Sequence, residues 1–392
     1  MLQDLISKGG VKMKDIFYVG VDDHDIELFE GQYPVENGMS YNSYLIKDEK
    51  IAVMDSVDKN FSQEWLSNVD KALEGKEPNY LIVSHMEPDH SGSLIEFTKK
   101  YPNATLVATD KAFKFLIQFY GDVKNEKIVV KEGDTLSLGK HTLKFITAPM
   151  VHWPEVMFTY DEYENVLFSA DAFGKFGALD YDDPEGWACE ARRYYFGIVG
   201  KYGNQVQTVL KKLQGVKITA ICPLHGPVLD DNLDYYLGTY DTWSKYESES
   251  KGVFIPVASV YGNTLEAAQV LAEKLTSKGV KVVVCDLNTD SMTEAFEDAF
   301  RYDRIVFASV TYNGTIFPSM NYFIDGLVER GYQNKKVAFI ENGTWAAMAG
   351  KVMQEKLAKC KNLELLEPVV KLVSKLDENS IKQIEELADK LI

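Results

Sequence analysis

The chain has 392 residues, with 42 Lys and Arg against 59 Asp and Glu, so 42 − 59 leaves a formal charge of −17. A polyanion of this kind repels phosphate backbones and anionic lipid, which disfavours nucleic acid and membrane surfaces as partners. The 45% apolar and 12% aromatic fractions exclude a disordered chain, and at roughly 100 to 200 residues per domain the length predicts two domains or three small ones.

The four cysteines, Cys189, Cys222, Cys285 and Cys360, form no C-x-x-C pair. Neither a disulfide framework nor a cysteine-ligated metal centre is indicated, and reduced thiols fit a cytosol. No apolar run approaches the roughly 18 residues of a membrane span, and the opening MLQDLISKGGVKMKD lacks the apolar stretch of a signal peptide. A cytoplasmic protein is expected.

Short branched runs bounded by Gly, Pro, Asn or Asp predict strands at Ile51 to Val57, Tyr80 to His85, Thr105 to Asp110, His141 to Ala148, Asn165 to Phe173 and Ile218 to Gly226. Helical patterns fall between them, around Phe61 to Leu73 and Tyr202 to Leu213. This is a mixed α/β layered domain. The polar segment Tyr246 to Gly252 is the best candidate linker, and it divides the chain into residues 1–250 and 251–392. Beyond it, strand VFIPVAS leads into a helix from Thr264, with Ala268, Leu271, Ala272 and Leu275 on one face and Gly279 as a stop. Strands VKVVVCDL, RIVFASV and KVAFIE follow, with a weaker one at LELLEPVV. Strands alternating with helices predict a small doubly wound parallel sheet.

In the first domain the strand YLIVS runs into His85-Met86-Glu87-Pro88-Asp89-His90, which places four metal-ligand candidates within six residues. Three more stand where other strands end: His152, Asp171 and His225. Four of the six histidines therefore occupy strand-to-loop junctions, and only His24 and His141 fall outside. One histidine at a strand end is ordinarily structural. A cluster of imidazoles and carboxylates without an ion would be costly to desolvate, so the group reads as a metal site.

The H-x-E-x-D-H signature, with the later His152, Asp171 and His225, resembles the metallo-β-lactamase-like fold in its flavodiiron variant. The hydrolytic branch normally has histidine where this chain has Glu87. With Glu87, Asp89 and Asp171, two divalent ions bring +4 against −3, and oxygen-rich ligands suit iron better than a histidine-rich zinc site does. The resemblance implies that His85, Glu87 and His152 bind one iron, that Asp89 and His225 bind the other, and that Asp171 bridges them. His90 matches a position that coordinates in some members and swings away in others. Tyr194 and Tyr195 offer phenols to a bound ligand, with Tyr195 the expected catalytic residue, and His24 is a surface or pocket-edge candidate.

In the second domain a strand runs into Ser259-Val260-Tyr261-Gly262-Asn263-Thr264 and then a helix, an arrangement that aims free backbone N–H groups and the helix dipole at a phosphate. The absence of G-x-G-x-x-G and of a Walker loop disfavours dinucleotide and P-loop sites. The pattern looks like the FMN loop of flavodoxins, which implies strand order 2-1-3-4-5 with the flavin at the switch point. Thr311, Tyr312, Asn313 and Gly314, then Asn342, Gly343, Thr344 and Trp345, would border the ring, although the third loop, ENGTWAAMAG, departs from the usual Gly/Ser-rich form.

Together the two halves resemble a minimal flavodiiron protein: an N-terminal metallo-β-lactamase-like αββα sandwich followed by a flavodoxin-like sheet. The resemblance implies FMN, two irons, reduction of O2 to water or of NO to N2O, and a head-to-tail homodimer or a tetramer. It also implies a separate electron donor such as rubredoxin or a flavin reductase, since no cysteine pair here could form a rubredoxin site. The alternatives are a dinuclear zinc hydrolase with a flavodoxin appendage, which Glu87 opposes, and an FMN carrier with a docking scaffold, which the intact ligand set opposes.

Overall fold

The computed structural model describes residues 13–181 and 183–392. The chain divides into two compact units, one ending at Asp241 and the other starting at Thr242. The division falls inside helix Leu233–Ser244, and strand Ser250–Ala258 already occupies the end of the polar segment.

In the first unit a six-stranded sheet runs in the order Ile16–Tyr18, Tyr44–Ile46, Ala52–Met54, Tyr80–Ile82, Thr105–Ala108, Lys127–Val129. Its first two pairings are antiparallel and its last three parallel. A second sheet of five strands runs Thr135–Ser137, Thr142–Thr147, Met157–Asp161, Val166–Phe168, Ala220–Cys222. Ile46, Met54, Ile82 and Val107 of the first sheet form one buried cluster with Leu143, Phe145, Met157 and Phe168 of the second. Two apolar faces are thereby removed from water, the αββα layering that the resemblance implies.

Helices cover the outer faces. Ser62–Leu73 buries Trp65, Leu66, Val69 and Leu73, spaced so that one stripe faces inward, and it stops at Glu74 in the left-handed conformation. The Trp65 ring is fully buried and lies 5.7 Å from Phe97 of helix Leu94–Lys100.

The second unit has a parallel sheet in the order Val282–Asp286, Ser250–Ala258, Tyr302–Tyr312, Gln333–Asn342, Lys361–Leu365. Numbered along the chain this is 2-1-3-4-5. The weakest predicted strand, LELLEPVV, is two short strands, Lys361–Leu365 and Val370–Leu372, that pair with successive stretches of Gln333–Asn342. Helix Asn263–Ser277 packs Ala267, Ala268, Leu271 and Leu275 into the same cluster as Val253, Ile255 and Ile340. Among the described residues no helix is long and apolar enough to cross a membrane.

Because Trp65 fills the space between two helices, Trp65→Ala should cost about 3–5 kcal/mol while leaving the second unit unaffected. Urea unfolding followed by far-UV circular dichroism, with flavin release as the marker of the second unit, checks both halves of that expectation.

Candidate functional site

The ligand candidates of the first unit converge because the strands that carry them end on one edge of the sandwich. Strand Tyr80–Ile82 gives way at Val83, and the chain then turns through Ser84 to Glu87 into a short helix, Pro88–Ser91. Pro88 occupies the first turn, where its missing N–H costs nothing, so the helix begins directly after Glu87. Packing fixes this turn. A Cβ on Gly92 would lie 2.7 Å from the Lys59 nitrogen, so only glycine fits. Ser91 donates its hydroxyl to the Met86 and Glu87 carbonyls, and Ser56 donates to that of His90.

Two residues outside the predicted set hold His85. Buried Asp55 accepts the Ser84 and His85 N–H groups on one oxygen, at 2.6 and 3.4 Å, and burial lifts its pKa to about 6 despite those bonds. Fully buried Glu155 accepts the His85 Nδ1 proton at 2.8 Å and the Met86 N–H at 3.0 Å. With Nδ1 committed to a carboxylate, the Nε2 lone pair of His85 faces the cluster. His225 is set in the same way: its Nδ1 donates to the Ser40 carbonyl at 2.7 Å, which leaves Nε2 as the free acceptor.

All seven predicted ligands come together in two linked groups. His85, Glu87, His152 and Asp171 form one, and Asp89, His90 and His225 the other. Asp171 joins them through its two oxygens. Oδ2 lies 3.3 Å from His85 Nε2 and 2.9 Å from His152 Nε2, whereas Oδ1 lies 3.2 Å from His90 Nε2 and 3.9 Å from His225 Nε2. Glu87 Oε2 is 3.3 and 3.0 Å from the same two imidazole nitrogens of the first group. Asp89 Oδ2 is 3.2 Å from both His90 and His225, whose Nε2 atoms are 3.0 Å apart. His90 is thus turned into the cluster.

These separations fit a missing cation. Donor atoms that share a first-row ion, with bonds of about 2.0–2.2 Å, sit about 3.0–3.4 Å from one another. Both carboxylate oxygens of Asp89 and of Asp171 are buried without a hydrogen-bond partner. The electrostatics agree. Burial alone would lower the histidine pKa values, but Asp171 and its neighbours hold His85 well above the ordinary imidazole range, while the carboxylates lift His152 to about 9 and His90 to about 10. Burial would raise Asp171 and Asp89, yet the imidazoles hold both far below the usual carboxylate range. The pocket calls for positive charge, and protons serve where an ion is lacking.

The tyrosine doublet separates. Tyr194 is fully buried, its ring lies 5.5 Å from that of His225, and its hydroxyl has no hydrogen-bond partner. Burial first, then Asp171, Asp89 and Glu87, keep this phenol protonated. Tyr195, the residue expected from sequence, instead packs on Tyr240 and Phe196, at 5.0 and 5.1 Å. A helix turns adjacent residues about 100° apart, so only one of a doublet can face the site. His24 lies outside the cluster, half-exposed and 3.4 Å from Asp180.

In the second unit a cleft of about 590 Å³ is lined by Ser259, Tyr261, Asn263 and Thr264, by Thr311, Tyr312, Asn313 and Gly314, and by Asn342, Gly343, Thr344 and Trp345. Gly262 caps helix Asn263–Ser277 with φ 89°, and its N–H is bonded to Ser259 Oγ. The next N–H groups of that helix open into the cleft end. No cationic side chain lines it. Tyr261 and Trp345 are 91% and 92% exposed, which leaves both aromatic faces free to stack. Three expected ring contacts are engaged in holding the loops. Asn342 Nδ2 donates to Ser374 O and Thr264 Oγ1, Thr311 Oγ1 accepts the N–H groups of Met348 and Ala349, and Thr344 Oγ1 is 3.0 Å from Ser374 Oγ.

The chain matches the ODP family beta lactamase over residues 39–226 and a flavodoxin domain over residues 254–370. Fold and site therefore define a metallo-β-lactamase-like domain joined to a flavodoxin domain. The nitric oxide reductase of Moorella thermoacetica is 30% identical over 362 residues, 90% of each chain. Among solved structures, the rubredoxin oxygen:oxidoreductase of the anaerobe Desulfovibrio gigas superposes with a TM-score of 0.89 at 25% identity over 97% of both chains. The flavodiiron protein of Giardia intestinalis does so with 0.87 at 28% identity over 97% of this chain and 95% of that one. The chain belongs to the flavodiiron protein family.

Two outcomes test the site. Glu155→Ala should weaken metal binding by about 10–100-fold without changing flavin content, whereas Glu155→Gln, which keeps an acceptor for His85, should lose less; metal analysis after dialysis against a competing chelator separates the two. Loading metal-free protein at pH 7 should release protons, because imidazoles held above that pH must deprotonate to coordinate, and a weakly buffered indicator dye reads the release.

Proposed function

We propose that the chain is an oxidoreductase that reduces O2 to water, NO to N2O, or both, at a pair of irons supplied with electrons through FMN. The observation that carries this reading is the set of four partnerless buried oxygens on Asp89 and Asp171, ringed by imidazole nitrogens at ion-sharing distances.

His85, Glu87 and His152 would hold one iron, Asp89, His90 and His225 the other, and Asp171 both, since its two oxygens face different groups. The inward position of His90 supports its inclusion. An iron pair supplies one-electron redox steps that no side chain here provides. The chain's own residues do the rest. Glu155 and the Ser40 carbonyl keep His85 and His225 in the coordinating tautomer. Tyr194 keeps its proton and can donate it in a hydrogen bond to a small ligand between the two groups. Phe29 and Phe176, which flank Tyr194, exclude water from that side.

FMN would set its phosphate at the start of helix Asn263–Ser277 and its ring against Tyr312 and Trp345. The overall reactions are O2 + 4 e⁻ + 4 H⁺ → 2 H2O and 2 NO + 2 e⁻ + 2 H⁺ → N2O + H2O. The electrons come from a separate donor, rubredoxin or a flavin reductase. A head-to-tail dimer, alone or within a tetramer, brings the FMN of one protomer to the irons of its partner. Four widely spaced cysteines with no C-x-x-C pair support a reducing, cytoplasmic setting.

Anaerobic purification followed by metal and flavin analysis, then mixing of the reduced protein with NO or O2, tests the reading. It requires about two irons and one FMN per chain with rapid reoxidation, and the relative turnover fixes the preferred gas. Zinc with ester or thioester hydrolysis, or flavin without metal, would overturn it. Glu87→Ala should abolish gas reduction with FMN content unchanged; full turnover in that variant would remove Glu87 from the ligand set.

A further inference from the structure

His141, a histidine outside the junction cluster, is fully buried and held from two sides. Its backbone N–H donates to Asp48 Oδ2 at 2.7 Å, and its Nδ1 lies 2.9 Å from Asp161 Oδ2. Asp161 also accepts the Glu164 N–H, so it acts as a carboxylate acceptor and fixes the Nδ1–H tautomer. Nε2 is then the free acceptor, and it is buried with no hydrogen-bond partner. It faces Asp15 Oδ2 at 3.5 Å, and a Glu164 oxygen completes a group of three donors within 4.8 Å of one another.

A neutral imidazole lone pair facing two carboxylates is repulsive. A protonated ring paired with Asp15 is the competing account, but 3.5 Å is long for a charge-assisted bond. Two donor atoms that share a tetrahedral zinc ion lie about 3.3 Å apart. Asp15 and Glu164 are only half-buried, which leaves solvent access on their side. Lys140, which bonds Asp15 at 2.7 Å, is itself 52% exposed and can swing aside. A carboxylate behind the ring and two carboxylates in front of it form the donor set of a divalent, borderline metal.

We propose that Asp15, His141 and Glu164 form a second metal site that takes one Zn²⁺ per chain, with water filling the remaining position. The three residues come from different places: Asp15 precedes the edge strand of the first sheet, His141 precedes strand Thr142–Thr147 of the second, and Glu164 lies in the turn between Met157–Asp161 and Val166–Phe168. The ion would therefore staple the two sheets of the first domain at one end.

The test uses iron- and FMN-loaded protein equilibrated with micromolar Zn²⁺ and then desalted, with both metals counted on the same sample. The expected result is one zinc per chain above an unchanged iron content, an upward shift in the melting temperature of the first domain, and unchanged gas reduction. His141→Gln and the more exposed Glu164→Gln should each lose that zinc while retaining iron. Zinc content equal in wild type and both variants would overturn the proposal. So would zinc-edge anomalous scattering that places the ion on His85 or His225, or a zinc-independent melting temperature.

Discussion

Buried negative charge governs the first domain. Asp89 and Asp171 sit at the rim of an apolar sandwich where water cannot reach their oxygens, and the groups that face them are imidazole nitrogens. Removing a carboxylate from water without compensation is prohibitive, so the fold is consistent only if cations enter the pocket. The imidazoles around it accept either protons or metal, which is why their pKa values rise in the absence of an ion. Metal occupancy and stability of the domain are then two aspects of one equilibrium.

The backbone of the domain can be understood as the apparatus that makes this concentration of charge possible. Asp55, Ser56, Ser91 and Gly92 pin the turn that carries His85, Glu87, Asp89 and His90, and Glu155 orients the ring of His85 from behind. The second domain solves a different problem. In the proposed reading its cleft would hold the FMN phosphate within a strongly acidic chain with no lysine or arginine lining it, by means of helix N–H groups whose partial charges do not depend on side-chain placement. On that reading buried side chains would serve the redox metal, and exposed backbone with flat aromatics would serve the planar cofactor.

What could be read beforehand follows from the same physics. Ligands at strand ends are legible because a strand end is marked by branched residues giving way to Pro, Gly and Asp, and the runs ending at His85, Asp171 and His225 show this directly. The alternation of strands and helices made a doubly wound parallel sheet legible, whereas the order 2-1-3-4-5 came only from the resemblance of the loop at Ser259 to Thr264 to that of flavodoxins. The short strands Ile16–Tyr18, Tyr44–Ile46 and Lys127–Val129 were not, since three residues carry no period. Glu155 and Asp55 were missed because a carboxylate that accepts a buried imidazole or backbone proton looks, in sequence, like any other acid. The choice between Tyr194 and Tyr195 depends on helix phase, which a boundary error of one residue reverses.

The proposed zinc site repeats the arrangement of the larger cluster at lower charge. In both places a carboxylate holds Nδ1 of a fully buried histidine and leaves Nε2 toward further carboxylates. The settings differ. Around His85 the carboxylates are themselves buried, a second group of ligands lies across Asp171, and two adjacent ions are needed to balance them. Around His141 the facing acids reach solvent, Lys140 already offsets part of their charge, and one ion suffices. A small number of oxygen donors with one imidazole, open to water and without a neighbouring ion, favours a metal that need not change oxidation state. The same local arrangement can therefore serve catalysis in one place and cross-linking in the other, and the surrounding burial decides which.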